Sequence, residues 1–396
     1  MLFDSPARLP STALKALSLD FIVILLPRRP IPVRIYLIVS MNNVSQINSL
    51  LKLSLGACNF SDNLLKDLAK ADGEQRAQFV SLANSHHVIL RALNPLRDFA
   101  QSRGYVEVAA WCGEALSREN VIIADSLKFL ANICQKLESA GIQITVMKSL
   151  DHWPDIGNDL DLYTTSNQQE VTRAMVHFFE AHPKGRTCGD RLAQKWNFGV
   201  KGLAKSVEIH HGYLGQTGEH IAIAERFCTR RVPERVGDYT FMVPAPEERI
   251  IAATLQRMYR HLYIRVCDIV NTHFILESGK LDFAELKYAA NLGGIWPGVA
   301  TYLRIVTEFV SRFRGVAHKL DRDVLAAARI GVDKVFVRGI WLRVPVQYAA
   351  QLYSKQLFSM ASRRDFHGVL RLSLLPPLAS VARLSYMVTG SHSGIW

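Results

Sequence analysis

The chain has 396 residues, of which 49% are hydrophobic and 21% are charged. That balance excludes an intrinsically disordered protein and predicts a globular chain with a large core, divided into two or three domains. The net charge of +12 favours anionic partners, whether nucleotides, nucleic acid or an acidic membrane surface, without choosing among them.

Residues 1–40 contain two short apolar runs, at 21–26 and 35–39, with Pro27 and Pro30 between them. Neither run approaches the roughly 18 residues that a membrane-spanning helix needs. A clear basic segment of the kind that opens a signal peptide is lacking. We predict an extension of uncertain order, with contact to a membrane surface as the minor alternative.

Residues 41–140 are predicted to form a helical N-terminal region, because leucines recur there at steps of three and four. Within it, residues 120–137 predict one long helix with Ile122, Ile123 and Leu127 on its apolar face. Gly141 is expected to end that helix in the left-handed conformation.

Residues 141–245 are predicted to form a small mixed α/β core. Strands are expected at 142–147, around 159–162, at 195–200, at 206–210 and at 239–243. A helix capped by Ser166 is expected to run to about residue 182, with Phe178 and Phe179 facing inward. Residues 246–396 return to a helical pattern. The predicted fold class is therefore α+β, with a small mixed sheet flanked by helical regions.

The six cysteines are widely spaced and form no C-x-x-C pair, which argues against a zinc site. In a chain of this size they are typical of buried thiols in a reducing compartment, and we expect a cytoplasmic protein.

Asp159 and Asp161 alternate with Leu160 and Leu162, a pattern that predicts a strand. Residues i and i+2 of a strand point to the same face, so both carboxylates would project together. Like charges so close repel, and a divalent cation such as Mg²⁺ or Mn²⁺ would relieve that repulsion while binding substrate phosphates. The alternative is an ordinary solvated strand edge.

Glu208 lies in a second short alternating run, with Val207 and Ile209 on either side. It is the candidate third acid, which would complete a metal site or help to deprotonate an acceptor. His210 would share its face as a base or supporting residue, whereas His211 would point the other way.

These motifs resemble the nucleotidyltransferase superfamily that includes DNA polymerase beta. More narrowly, they are similar to a bacterial family with Leu-Lys-Gly, Asp-Ile-Asp-Leu and Glu-Leu-His motifs, here 147–149, 159–162 and 208–210. Ser149 stands where that family usually has glycine, and the arginine often found before the acid pair is missing. The similarity covers residues 120–280 and implies Mg²⁺ or Mn²⁺ held by Asp159, Asp161 and Glu208.

Lys148 and Ser149 come just after the first predicted strand, where a lysine would act as a point charge on phosphate and a hydroxyl or N–H would bind its oxygens. Arg257, Arg260 and His261 are predicted on one helix, together with Arg265, and would lie over a triphosphate. Asp268 is expected to pair with Arg265. The alternatives are an ordinary turn for 148–149 and a basic solvent face for the helix.

The resulting hypothesis is a metal-dependent transfer of a nucleoside monophosphate from an NTP to an unknown acceptor. That acceptor would be a small molecule, a peptide, a protein or an RNA. A non-catalytic interaction protein or membrane-surface protein that retains the fold is the main alternative. Phosphohydrolysis by the same acids is a third, and it would release orthophosphate rather than pyrophosphate.

Overall fold

The computed structural model describes residues 33–56 and 62–389 of the chain. Most of the predicted extension, residues 1–32, and Cys58 therefore lie outside the described residues. The first described helix begins at Val33, so it crosses the boundary predicted at residue 40.

The described chain forms helices and short strands in the following order. The N-terminal helices are α1 (Val33–Ser54), α2 (Asp62–Lys70), α3 (Gly73–Ser85), α4 (Ile89–Ser102) and α5 (Val106–Ser139). The central elements are β1 (Thr145–Val146), β2 (Asp159–Thr164), α6 (Gln168–Phe179), β3 (His182–Pro183), α7 (Cys188–Leu192), β4 (Lys195–Gly199), β5 (Ser206–His211), α8 (Ile221–Ala224), α9 (Arg226–Thr229), β6 (Arg231–Val236) and β7 (Tyr239–Pro244). The C-terminal elements are α10 (Pro246–Thr254), β8 (Tyr263–Ile264), α11 (Val266–Glu277), α12 (Phe283–Leu292), α13 (Trp296–Arg314), α14 (Arg322–Ala327), β9 (Phe336–Arg338), β10 (Trp341–Arg343), α15 (Val346–Ser362), α16 (Phe366–Ser373) and α17 (Leu375–Thr389).

The prediction of an α+β fold with helices in excess is confirmed. The predicted boundaries after residues 140 and 245 fall between elements, at the end of α5 and immediately before α10. None of the helices within the described ranges is both long and apolar enough to cross a membrane. The five cysteines in the described part of the chain are all free thiols.

Helix α5 is longer than predicted, and its apolar face is narrower. Ile123 and Leu127 are buried as expected, but Ile122 is 40% exposed, because neighbouring positions on a helix point about 100° apart. Gly141 adopts φ +78°, and the N–H of Ile142 donates to Leu137 O at 2.9 Å, which confirms the predicted left-handed end.

Five strands form the central sheet, in the order β1-β2-β5-β4-β3. Strands β2 and β5 are parallel, and the other neighbours are antiparallel. One face of the β2–β5 pair carries Leu160, Leu162, Val207 and Ile209, all fully buried. This apolar face fixes the register, because a shift of one residue would turn the core side chains toward the opposite face.

Two local predictions in the core are wrong in detail. The strand predicted at 142–147 is reduced to the two residues of β1 that pair in register with β2, and the Met147 N–H adds one further bond to Asp161 O. Helix α6 is capped by Asn167, whose side chain accepts from the Gln169 N–H, and not by Ser166. It ends at Phe179, and Phe178 is 41% exposed rather than packed inward.

The C-terminal region is mainly helical but contains a three-stranded sheet in the order β8-β10-β9. The prediction missed it because each strand has only two or three residues, too few to show a period. A turn containing Gly339, at φ +62°, joins β9 to β10.

Candidate functional site

The parallel pairing of β2 with β5 brings two of the predicted acids side by side. Asp161 is the register partner of Glu208, and Asp159 is the partner of Ser206. Because Leu160 and Leu162 occupy the core face, the acids lie on the opposite face. The strand pattern therefore placed Asp161 and Glu208 correctly on one surface.

Asp161, Glu208 and His210 form a cluster that could hold a metal ion. One ligand atom of each residue lies within 4.8 Å of the others. His210 Nε2 is 2.7 Å from Glu208 Oε1 and 3.6 Å from Asp161 Oδ1, which confirms that His210 shares the face of Glu208. The Nδ1 atom of this buried imidazole has no hydrogen-bond partner among the described residues.

The donor chemistry of the cluster fits a divalent cation. Two carboxylates are ligands that Mg²⁺ and Mn²⁺ both accept, whereas an imidazole suits transition metals better than Mg²⁺. The mixed set of two carboxylates and one imidazole therefore fits a divalent cation without selecting one metal.

Asp159 lies outside this cluster. Its side chain is exposed, and its Oδ1 accepts a hydrogen bond from Ser206 Oγ at 2.5 Å. The difference from Asp161 comes from position, since Asp159 begins β2 at the open end of the strand.

Two lysines already neutralise the acids. Lys148 Nζ contacts Asp161 Oδ1 and lies 3.8 Å from Glu208 Oε1, while Lys195 Nζ is 3.1 Å from the same Glu208 oxygen. Burial opposes ionisation of Glu208, but His210 and then Lys195 outweigh it, and the pKa of Glu208 lies well below its usual value. Glu208 is therefore held as a carboxylate.

Lys148 has a strained backbone, with φ +63° in a residue that is not glycine. This left-handed conformation is uncommon for a side-chain-bearing residue, and such strain is concentrated at functional sites. It turns the chain sharply after β1 and directs the Lys148 side chain to the acids.

Ser149 is buried and its hydroxyl is already engaged. Its Oγ accepts from the Asp161 N–H at 2.7 Å and donates to Asp159 O at 3.1 Å. Its N–H donates to Met147 O at 2.7 Å. The predicted phosphate contact therefore has no free donor on Ser149, which instead ties the turn after β1 to the backbone of β2.

The predicted basic helix is divided in the structure. Helix α10 continues into a π-helical segment, Leu255–Arg260, but Arg265 lies beyond β8 at the start of α11. The prediction of one helix for Arg257, Arg260, His261 and Arg265 is therefore wrong. The chain turns at Leu262, which adopts φ +54°.

Arg257 and Arg260 have different environments. Arg257 is buried, and its Nε lies 2.7 Å from Asp268 Oδ2, so its charge is used inside the protein. The expected pairing of Asp268 with Arg265 is replaced by a hydrogen bond from the Arg265 backbone N–H, at 2.6 Å. Arg260, in contrast, is exposed.

A narrow cleft of about 60 Å³, partly open to solvent, adjoins the cluster. Lys148, His210 and Arg260 line it, together with Tyr259 of the π-helical segment and Glu219 from the loop after β5. The structure thus brings Lys148, His210 and Arg260 to one cavity and leaves Arg257 out of its lining.

Lys195 is the site residue that sequence reasoning missed. Strand β4 was predicted, but its pairing with β5, which sets Lys195 opposite His210, was not. An observable signal was a lysine at the start of a strand otherwise carrying Trp196 and Phe198. His211 points to the other face, where burial lowers its pKa to about 4.

No protein-family model matches the chain, and a search of curated proteins finds no match either.

Proposed function

We propose that the protein is a metal-dependent nucleotidyltransferase, which moves a nucleoside monophosphate from an NTP to an acceptor hydroxyl and releases pyrophosphate. The observation that carries the proposal is the cluster of Asp161, Glu208 and His210 on adjacent strands, beside a cleft lined by Lys148 and Arg260. The order of elements also supports it: a strand, an acid-x-acid strand, a helix and later a strand with a third acid.

A divalent cation at the cluster would supply Lewis acidity toward the triphosphate. Lys148 and Arg260 would bind phosphate oxygens from the cleft, Lys148 as a point charge and Arg260 as a planar fork. Both cations would stabilise the negative charge that builds up on the departing pyrophosphate.

Glu208 is better suited to holding charge than to accepting a proton. Its Oε1 atom is already engaged within the cluster, 2.7 Å from His210 Nε2 and 3.1 Å from Lys195 Nζ. We therefore assign Glu208 to the metal cluster and not to deprotonation of the acceptor.

The test is a thermal-shift panel with the four NTPs, each with and without Mg²⁺ or Mn²⁺. A ligand at about 100 times its dissociation constant adds about 2.7 kcal/mol to the free energy of unfolding. We expect a metal-dependent shift that disappears in Asp161→Asn. The matched control is Asp159→Asn, two residues earlier on the same strand, which should keep most of the shift.

No shift with any NTP and metal would contradict the proposal and leave the acids and lysines as a structural ion-pair network. An equal loss of the thermal shift in both variants would contradict the conclusion that Asp161 belongs to the cluster and Asp159 does not. Once a nucleotide is identified, release of pyrophosphate rather than orthophosphate distinguishes transfer from phosphohydrolysis.

A further inference from the structure

Lys195 contacts Glu208 from the strand on one side of β5, and Asp161 lies on the strand on the other side. Strand β5 lies between β2, which carries Asp161, and β4, which carries Lys195. Lys195 is the register partner of His210, so its side chain reaches diagonally to Glu208. Its side chain is only 6% exposed, and Nζ lies 3.1 Å from Glu208 Oε1.

Lys148 and Lys195 differ in their freedom to move. Lys148 follows a two-residue edge strand, is 16% exposed and lines the cleft, so an incoming cation or phosphate can draw it away from Asp161. Lys195 starts β4, where its backbone is paired with His210 of the central strand β5, and its ammonium is enclosed. Only Lys195 is therefore a permanent part of the charge balance.

We propose that Lys195 is a fixed cation that takes the place of a second divalent ion, so that the site binds a single ion. This inference rests on the proposed function, because it concerns the same cluster. Lys195 does not contact substrate in this scheme; it compensates one of the two carboxylates.

The donor set supports a single ion. His210 Nε2 lies 2.7 Å from Glu208 Oε1 and 3.6 Å from Asp161 Oδ1, and one ion with ligand distances of about 2.1 Å can cover both spacings. Two-ion sites hold metals about 3.5–4 Å apart between shared acidic ligands. The acid that would extend the cluster, Asp159, is instead exposed and hydrogen-bonded to Ser206.

The charge balance of the cluster also favours a single ion. With His210 as the neutral imidazole that metal binding requires, Asp161 and Glu208 carry two negative charges, and Lys148 and Lys195 carry two positive charges. One divalent ion can replace the contact of Lys148 with Asp161. A second ion would have to approach Glu208 beside an ammonium that cannot leave.

The experiment titrates the full chain with Mn²⁺ alone and measures free Mn²⁺ by electron paramagnetic resonance. We expect one Mn²⁺ per wild-type chain and none in Asp161→Asn. Lys195→Met removes a buried positive charge close to the ion, so it should bind Mn²⁺ about tenfold or more tightly. Lys195→Arg keeps the charge and should retain the wild-type affinity.

The matched control is Lys201→Met, which removes an exposed lysine just after β4 and should leave Mn²⁺ binding unchanged. If Lys195→Met does not fold, as judged by its melting curve, Lys195→Gln serves in its place. The wild-type stoichiometry stands as a separate readout that needs no variant.

Two Mn²⁺ ions of comparable affinity per wild-type chain would overturn the inference and leave the proposed function standing. The inference would also be overturned if a folded Lys195 variant that lacks the positive charge binds Mn²⁺ no more tightly than the wild type does. Absence of Mn²⁺ binding by the wild type would remove the inference and the proposed metal site together.

Discussion

Replacing Arg257 with methionine should destabilise the protein without affecting the nucleotide response. Arg257 is 3% exposed, and its Nε lies 2.7 Å from Asp268 Oδ2, which is itself buried in the first turn of α11. Burial opposes its charge, but Asp268 outweighs that effect and raises the pKa of Arg257. The guanidinium also lies over the Tyr263 ring, 5.6 Å from its centroid.

Removing one partner of a buried ion pair leaves an uncompensated charge and typically costs about 3–5 kcal/mol. Asp268 keeps two hydrogen bonds after the change, from the Arg265 backbone N–H and from Cys267 Sγ, and it remains near the N-terminus of α11. We therefore expect Arg257→Met to lower the free energy of unfolding by about 3 kcal/mol. Adding Asp268→Asn removes the lone charge and should recover about 1 kcal/mol of that loss.

The assay is urea unfolding followed by circular dichroism. Arg260→Met is the matched control, since Arg260 lies on the same π-helical segment but is exposed, and it should cost no more than about 0.5 kcal/mol. A loss below about 1 kcal/mol in Arg257→Met would refute the reasoning from the buried pair. A double variant less stable than the single one would refute it as well.

Ser149→Ala leaves the partly buried Asp161 N–H without its acceptor and should lower the free energy of unfolding by about 1–3 kcal/mol in the same assay. Ser139→Ala, at an exposed position on α5, should leave it nearly unchanged. A pH series tests His86, whose Nδ1 accepts from the Val266 N–H while Nε2 lies 2.7 Å from Ile340 O. Burial lowers the pKa of His86 to about 4, so its stabilising contribution is present above the unfolded value of 6.5 and is lost as the pH falls toward 4. We expect the free energy of unfolding to fall by about 3 kcal/mol over that range, and by less in His86→Gln. An equal dependence of the free energy of unfolding on pH in both proteins would contradict this expectation.

The elements that sequence patterns predicted best are those with a clear apolar period. Leu160 and Leu162 mark the core face of β2, and the same alternation in β5 places Glu208 opposite that core. Gly141 marks the end of α5 because only a few residue types adopt its backbone conformation readily. Local signals of this kind are sufficient for single elements.

The parts that could not be predicted depend on pairing between distant segments. Lys195 joins the site only because β4 lies beside β5, and no local pattern specifies that neighbour. Arg257 was predicted to bind phosphate, because a basic helix has the same composition whether its arginines are exposed or form buried ion pairs. In the structure Arg257 forms a buried pair with Asp268, a partner that the local sequence does not specify. Asp159 and Asp161 look equivalent in sequence, yet only Asp161 joins Glu208 and His210.

The position of β5 divides the candidate site into a rigid half and a deformable half. Amides of β5 are bonded to β2 on one side and β4 on the other, so their exchange with solvent hydrogen requires opening of the sheet centre. The turn at Lys148 follows a two-residue strand at the sheet edge and is held to β2 by the Met147 N–H and Ser149 Oγ, so its opening breaks fewer backbone bonds than opening of the sheet centre. Glu208 and His210 thus lie on the part of the sheet that is hardest to open, and the turn that carries Lys148 opens more readily.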